Sequence, residues 1–272
     1  MICFTIALRG KASTNHWDDV VRDFNNTLHS IFNQTCDEFH VFVGCNEIPE
    51  LWEKYDRNRL HFIEVNTPVP KTWQEKCRDR SWKLLNCAKA IRDRFGELSV
   101  QGGVFVFPVD ADDYVNCHIA AYVKAHPEAN GFKSKSGYKW IKNRKIMVIT
   151  PYYGGSMNIM KMYLDELPEG LPDISLCFDE KTSAELGAKY PIKWFDIEVE
   201  GKFAALGRRL DRLPFRSTIY VLGTGENISE KDPKNKRVDK KRIQPVAFLR
   251  RINPFDKKLL TARIKREFGI LE

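Results

Sequence analysis

The chain has 272 residues, room for one large α/β domain or one domain with an appendage, and its 43% apolar and 12% aromatic content excludes wholesale disorder. No apolar stretch reaches the roughly 18–20 residues that cross a bilayer, and the opening MICFTIALRG lacks the basic leader of a signal peptide, so a cytoplasmic protein is expected. The net charge of +8 is uneven: residues 231–266 hold 14 Lys or Arg against three Asp, a local excess of +11 that leaves the remainder near −3.

Taken in chain order, residues 2–8 (ICFTIAL) and 39–45 (FHVFVGC) read as buried strands, short and β-rich. Between them, Trp17 to Phe32 carries Val20, Val21, Phe24, Leu28, Ile31 and Phe32 at helical spacing. Leu60–Val65 is a third strand, and Trp73–Phe95 a long helix with Trp82, Leu85, Ala88 and Ile91 on one side. Gly102-Gly103 then opens Val104–Val109, an apolar run that ends abruptly in acid. Strands alternating with helices predict an α/β fold, a mostly parallel sheet flanked by helices. The second half is less regular. Strands are expected around Tyr138–Ile141, Lys145–Ile149 and Thr218–Leu222, a loop over Asp165–Glu180, and a helix over Lys257–Phe268. A body over 1–230, in two halves about 1–125 and about 126–230, is expected. A basic, partly helical extension over 231–272 follows it.

The acidic cluster Asp110-Ala111-Asp112-Asp113 is the most informative feature. In an open parallel sheet, ligands bind beyond the carboxyl ends of strands, and alternate residues of an extended chain face the same way. Asp110 and Asp112 therefore suit a hard divalent ion, Mn²⁺ or Mg²⁺, bridging diphosphate oxygens. Capping of a helix near Asn116 is the plainer role, yet a cap needs only one carboxylate.

Together with its surroundings, this cluster resembles the GT-A fold glycosyltransferases, in particular the family-2-like group. The likeness rests on Phe105-Val106-Phe107-Pro108-Val109-Asp110-Ala111-Asp112-Asp113, on Thr27–Thr35 leading into the second strand, and on Arg78-Asp79-Arg80 with Lys83 in the preceding helix. It covers roughly residues 1–125, which it implies are the nucleotide-binding half, with an acceptor half about 126–230. The resemblance implies a GT-A-like, Rossmann-related sheet and metal-assisted, inverting transfer. The sugar would pass from a nucleoside-diphosphate sugar, a UDP-sugar by expectation, to a glycan or lipid-linked acceptor. By position it makes Asp112 the main metal ligand, Asp110 a ribose or metal contact, and Asp113 an assistant or a loop anchor. Glu47 stands where the family reads the base, and Arg9 and Lys11 where a loop meets the phosphates. Asp79 and Lys83 would line the donor site or form an exposed i,i+4 pair.

An inverting transfer needs a carboxylate base, and Asp173, Asp179 and Glu180 are the candidates. Asp179 equally suits the cap of a helix over 181–189. All six histidines precede residue 127, so the late histidine that completes many GT-A metal sites is missing. The turn Gly223–Ser229, with Glu226 or Asn227, is a substitute, and Gly154-Gly155-Ser156 a place for close backbone approach. Seven cysteines without CxxC spacing read as free thiols. The basic extension suits an anionic membrane face or nucleic acid. Two other readings stay open: a two-metal nucleotidyltransferase or nuclease using the same acids, and a non-catalytic binding protein.

Overall fold

The computed structural model describes residues 1–134, 136–142, 144–150, 156–193, 196–223 and 256–271. Its strands in chain order are β1 (Ile2–Ala7), β2 (Phe39–Cys45), β3 (Leu60–Glu64), β4 (Val104–Val109), β5 (Tyr114–Val115), β6 (Gly131–Lys133), β7 (Gly137–Ile141), β8 (Ile146–Thr150), β9 (Asn158–Met162), β10 (Asp211–Arg212), β11 (Thr218–Leu222) and β12 (Lys257–Leu259). The helices are α1 (Trp17–Phe32), α2 (Trp73–Gln101), α3 (Ile119–Ala125), α4 (Glu180–Lys189), α5 (Asp196–Ala205) and α6 (Ala262–Glu267). The predicted early elements are all present. α2 runs past its expected end at Phe95, where φ −127° marks a kink.

Seven strands form the main sheet in the order β10-β6-β9-β4-β1-β2-β3. β1 lies parallel to both β2 and β4, β2 is parallel to β3, and β10 is parallel to β6; only β9 runs antiparallel to its neighbours. This is a mixed α/β architecture with a mostly parallel central sheet. The chain moves outward from β1 through β2 to β3, then returns to β4 on the other side of β1. The strand order therefore reverses between β1 and β4, where open α/β sheets form their ligand crevice.

Each face of the sheet is covered. Phe4, Ile6, Phe107 and Val43 pack against Phe24, Leu28 and Ile31 of α1 and Ile119 and Val123 of α3. On the other face Cys3, Phe42 and Val106 meet Trp82, Leu85, Ala88 and Ile91 of α2, with Leu186 of α4 and Phe203 of α5 beyond. The 3–4 residue spacing of the α1 apolar side chains supplies its buried stripe, and Asp18 and Asp19 in the first turn oppose the helix dipole.

A second sheet, β12-β8-β7-β11-β5, stands beside the first. Its core is Tyr114, Trp140, Met147, Ile219 and Val221, closed by Phe268 and Ile270 after α6. The expected helix over Lys257–Phe268 is thus a strand followed by a short helix. Lys257–Leu259 pair antiparallel with Ile146–Val148, and only Ala262–Glu267 coils. Phe268 is completely buried against the second sheet, so this end of the extension packs onto the body. All seven cysteines are free thiols. No described helix is long and apolar enough to cross a membrane.

Candidate active site

The carboxyl ends of β1 to β4 converge at the reversal of strand order. Arg9, Gly10 and Lys11 follow β1, Asn46 and Glu47 follow β2, Thr67 follows β3, and Asp110–Asp113 follow β4. A network of polar contacts joins these ends. Asn46 Nδ2 donates to the Thr67 carbonyl (3.1 Å) and hydroxyl (3.2 Å), and Thr67 Oγ1 donates to Asp79 Oδ1 (2.5 Å). Lys83 Nζ then donates to Asp79 Oδ2 (2.9 Å) and to the Leu8 carbonyl (2.8 Å). The helix pair offered as an exposed alternative is therefore buried: Asp79 is 7% and Lys83 1% exposed. Gly44 admits this approach of α2, since a Cβ there would lie 2.8 Å from both Cβ and the carbonyl oxygen of Lys83.

Three consecutive α2 residues reach three different elements, as successive side chains set about 100° apart can. Arg78 Nη1 donates to the Phe178 carbonyl (2.8 Å), and its Nη2 lies 3.6 Å from Glu180 Oε2. Asp79 faces Thr67, and Arg80 donates to Asp110 Oδ1 from Nε (3.2 Å) and Nη2 (2.9 Å). Arg78 thus ties the segment before α4 to the helix that also carries Asp79. Cys177 in that segment is pushed up to about 11 by burial and by the charge of Asp79.

The acidic turn holds its carboxylates in different settings. Asp110 is half-buried against Arg80, and its N–H donates to Ser156 Oγ (2.9 Å). Asp113 is fully buried, accepting from Ser156 Oγ (2.7 Å) and the Val221 N–H (3.4 Å), and so fastens the turn to the second sheet. Asp112 is half-buried and its charge acts on Arg9. Burial lowers the Arg9 pKa from its ordinary value, against the pull of Asp112 and Asp79. Glu47 accepts the backbone N–H of Lys11, which draws the β1 and β2 loops together; the Lys11 side chain is exposed.

Arg9, Lys11, Glu47, Asp79, Lys83, Asp110 and Asp112 therefore gather at one end of the sheet. Asp173 and Asp179 stand in caps: Asp173 accepts the Ser175 N–H (2.9 Å) and Asp179 the Thr182 N–H (2.7 Å). These bonds hold both carboxyls below their ordinary range. Glu180 opens α4 with a 91% exposed carboxylate facing Arg78. Gly154, Gly155, Glu226 and Asn227 lie outside the described residues.

Thr67 and Asn46 complete the site without having been singled out for it, while Arg80 and Ser156 belong to segments named above for other roles. Arg80 carried a sequence signal in its neighbourhood with Asp79; Thr67 and Asn46 carried none, because their partners are 12 and 21 residues away. As a metal centre, the site offers the hard oxygens of Asp110 and Asp112, which match a divalent ion such as Mg²⁺ or Mn²⁺. Asp113 is committed to the turn. Among the described residues, no group of three or more His, Cys, Asp or Glu is placed to hold a metal.

No family model matches the chain, and no curated protein matches its sequence. Among solved structures, the chain is similar to residues 1–349 of S. aureus TarS at 16% identity and TM-score 0.39, over 81% of this chain and 60% of that one. A longer S. aureus TarS structure gives 15% identity and TM-score 0.40, over 85% and 39% respectively. The chain spans less than two thirds of the length of either. At those scores the likeness bears no weight, and the reading rests on the crevice itself.

Proposed function

We propose that the chain is a metal-assisted glycosyltransferase that uses a nucleoside-diphosphate sugar, a UDP-sugar by expectation, and glycosylates a glycan or lipid-linked hydroxyl. The observation that carries this reading is the acidic turn Asp110–Asp112 beside Arg9 and Arg80 at the strand-order reversal. Carboxylates and guanidinium groups there supply both halves of a diphosphate site. The carboxylates take a cation, and the arginines take phosphate oxygens in bidentate fashion.

Asp110 and Asp112 would hold Mn²⁺ or Mg²⁺, which when bound neutralises charge on a departing diphosphate. Arg9 and Lys11 lie on the β1 loop, where their charges suit the same phosphates. Glu47 fixes that loop through the Lys11 N–H, so its contribution to a base contact comes with a positioning role. Asp79 and Lys83, held by Thr67 and the Leu8 carbonyl, keep the crevice floor rigid.

Of the three candidate bases, Glu180 takes the role in this account. Asp173 and Asp179 are occupied as caps, and their lowered pKa values weaken them as proton acceptors. In the reaction, the acceptor oxygen bonds to the sugar anomeric carbon while the bond to the diphosphate breaks. The acceptor proton passes to Glu180, and inversion follows from attack opposite the leaving group. The test is donor turnover, read as nucleoside diphosphate release with a panel of nucleotide sugars and glycan acceptors. Glu180→Gln should lower kcat by roughly 10²–10⁴-fold with little change in KM for the donor. Asp179→Asn should leave turnover and the α4 cap nearly unchanged, because Asn caps a helix about as well as Asp. Loss of turnover in Asp179→Asn with Glu180→Gln active would reverse the assignment. Nucleic-acid cleavage without sugar transfer would overturn the function.

A further inference from the structure

The outer edge of the second sheet combines features that neither the crevice nor the core requires. β12 pairs with β8 so that Leu259 stands opposite Ile146, and residues opposite one another in an antiparallel pair share one face. Both side chains are exposed, Leu259 by 65% and Ile146 by 36%. Arg144 and Lys145 at the β7–β8 turn and Arg263 on α6 flank this edge with exposed cations, and Lys258 adds one from the other face of β12, opposite Met147. The Leu260 N–H donates to the Lys145 carbonyl (2.8 Å), which lays β12 against that turn. Among the described residues, the nearby acids are few. Glu267 is paired with Arg263 (2.7 Å), Asp256 is half-buried, and residues 137–150 contain no acid.

We propose that this β8–β12 edge docks on the surface of an anionic lipid bilayer, with Leu259 and Ile146 entering the headgroup boundary amid the cations. Charge complementarity selects the partner class, since bases beside an apolar pair suit anionic headgroups over hydrocarbon. Single-stranded nucleic acid would call for exposed aromatic rings to stack on, and the exposed large apolar side chains of this edge are aliphatic. The order β12-β8-β7-β11-β5 sets the edge four strand spacings from β5, which directly follows the acidic turn. At about 4.8 Å per spacing, that is about 19 Å along the sheet, which leaves the crevice clear of the docked edge. The inference is independent of the reaction assigned to the crevice.

The test is flotation of the full chain with vesicles of phosphatidylcholine alone or with about one third phosphatidylglycerol, at low and high salt. Binding should require the anionic lipid and fall with salt. Each base near such a surface strengthens association roughly fivefold, so Arg144→Glu/Lys145→Glu/Lys258→Glu should abolish flotation. Leu259→Ser should weaken it roughly tenfold. All three positions of the charge variant and Leu259 are exposed, and unchanged thermal unfolding would confirm that both variants fold. The proposal is overturned if the wild type ignores anionic vesicles, or if either variant floats as well as it does. Salt-sensitive binding to a DNA or RNA oligonucleotide, lost in the charge variant and unaccompanied by flotation, would overturn it in favour of a nucleic-acid surface.

Discussion

At the scale of single residues, the buried Asp79–Lys83 pair governs the floor of the crevice. Both charges are out of water and each has a second partner: Thr67 for Asp79, the Leu8 carbonyl for Lys83. Removing one member of such a pair leaves the other charge buried and uncompensated, at a cost of about 3–5 kcal/mol. Lys83→Met should therefore lower Tm by roughly 10 °C in a protein of this size, as read by circular dichroism. Adding Asp79→Asn should recover much of the loss, because the orphaned charge is removed with it. A Tm for Lys83→Met within about 2 °C of wild type would contradict the pairing. Sequence spacing placed these residues one turn apart but left open whether water or the crevice surrounds them. Their burial depends on β1 and β3 ends distant in the chain, and on Gly44 letting α2 come close. Asp110 was more legible, because an apolar strand that stops at acid marks the end of a buried strand wherever it lies. The anchoring role of Asp113 was legible only as one of two alternatives, since its partners Ser156 and Val221 are 43 and 108 residues away.

At the scale of elements, the far end of β2 and β3 carries a pH response. His40 and His61 stack with ring nitrogens 3.2 Å apart, and Phe95 at the α2 kink covers His40. Burial pushes His61 down to about 4, with the charges of Arg94 and His40 adding to the effect. His40 is lowered too, by burial and then by Arg94 and Arg59, against the opposing charge of Asp56. An unfolded histidine titrates near 6.5, so between about pH 6.5 and 4 the unfolded chain binds more protons than the folded one. The stabilising contribution is complete above about pH 6.5 and is lost as pH falls toward 4. Partial exposure of both rings limits it to the order of 1 kcal/mol. Wild-type Tm should fall more steeply than that of His61→Gln between pH 7 and 4.5, so that the gap between them narrows with acid. Parallel curves would contradict the assignment. Elements of the first half were legible locally, since α1 repeats at 3.6 and the buried strands are short, near-continuous apolar runs. The Lys257–Phe268 stretch misled because Leu259, Leu260, Ile264 and Phe268 fit a helical stripe. Pairing with β8 and burial of Phe268 against Trp140 and Met147 override that local preference.

For the whole molecule, two sheets share one acidic turn. β4 delivers it from the main sheet and β5 carries the chain directly into the second; Val221 of the second sheet and Ser156, just before β9 of the main sheet, both hold Asp113. The alternating pattern of the first 125 residues made the parallel sheet and its crevice legible. The second sheet was not, since its strands are short and three of its pairings join segments far apart in the chain. The central claim is that Asp112, beside Arg9 at the strand-order reversal, serves a metal-dependent diphosphate site. Its most direct measurement is thermal unfolding of wild type and Asp112→Asn with UDP, GDP, CMP and dTDP, each with and without Mn²⁺. A ligand at about 100 times its Kd stabilises the fold by roughly 2.7 kcal/mol, a rise of several degrees. A Mn²⁺-dependent rise with one nucleotide, UDP by expectation, should appear in wild type and disappear in Asp112→Asn. No rise with any nucleotide, or an equal rise in the variant, would contradict it.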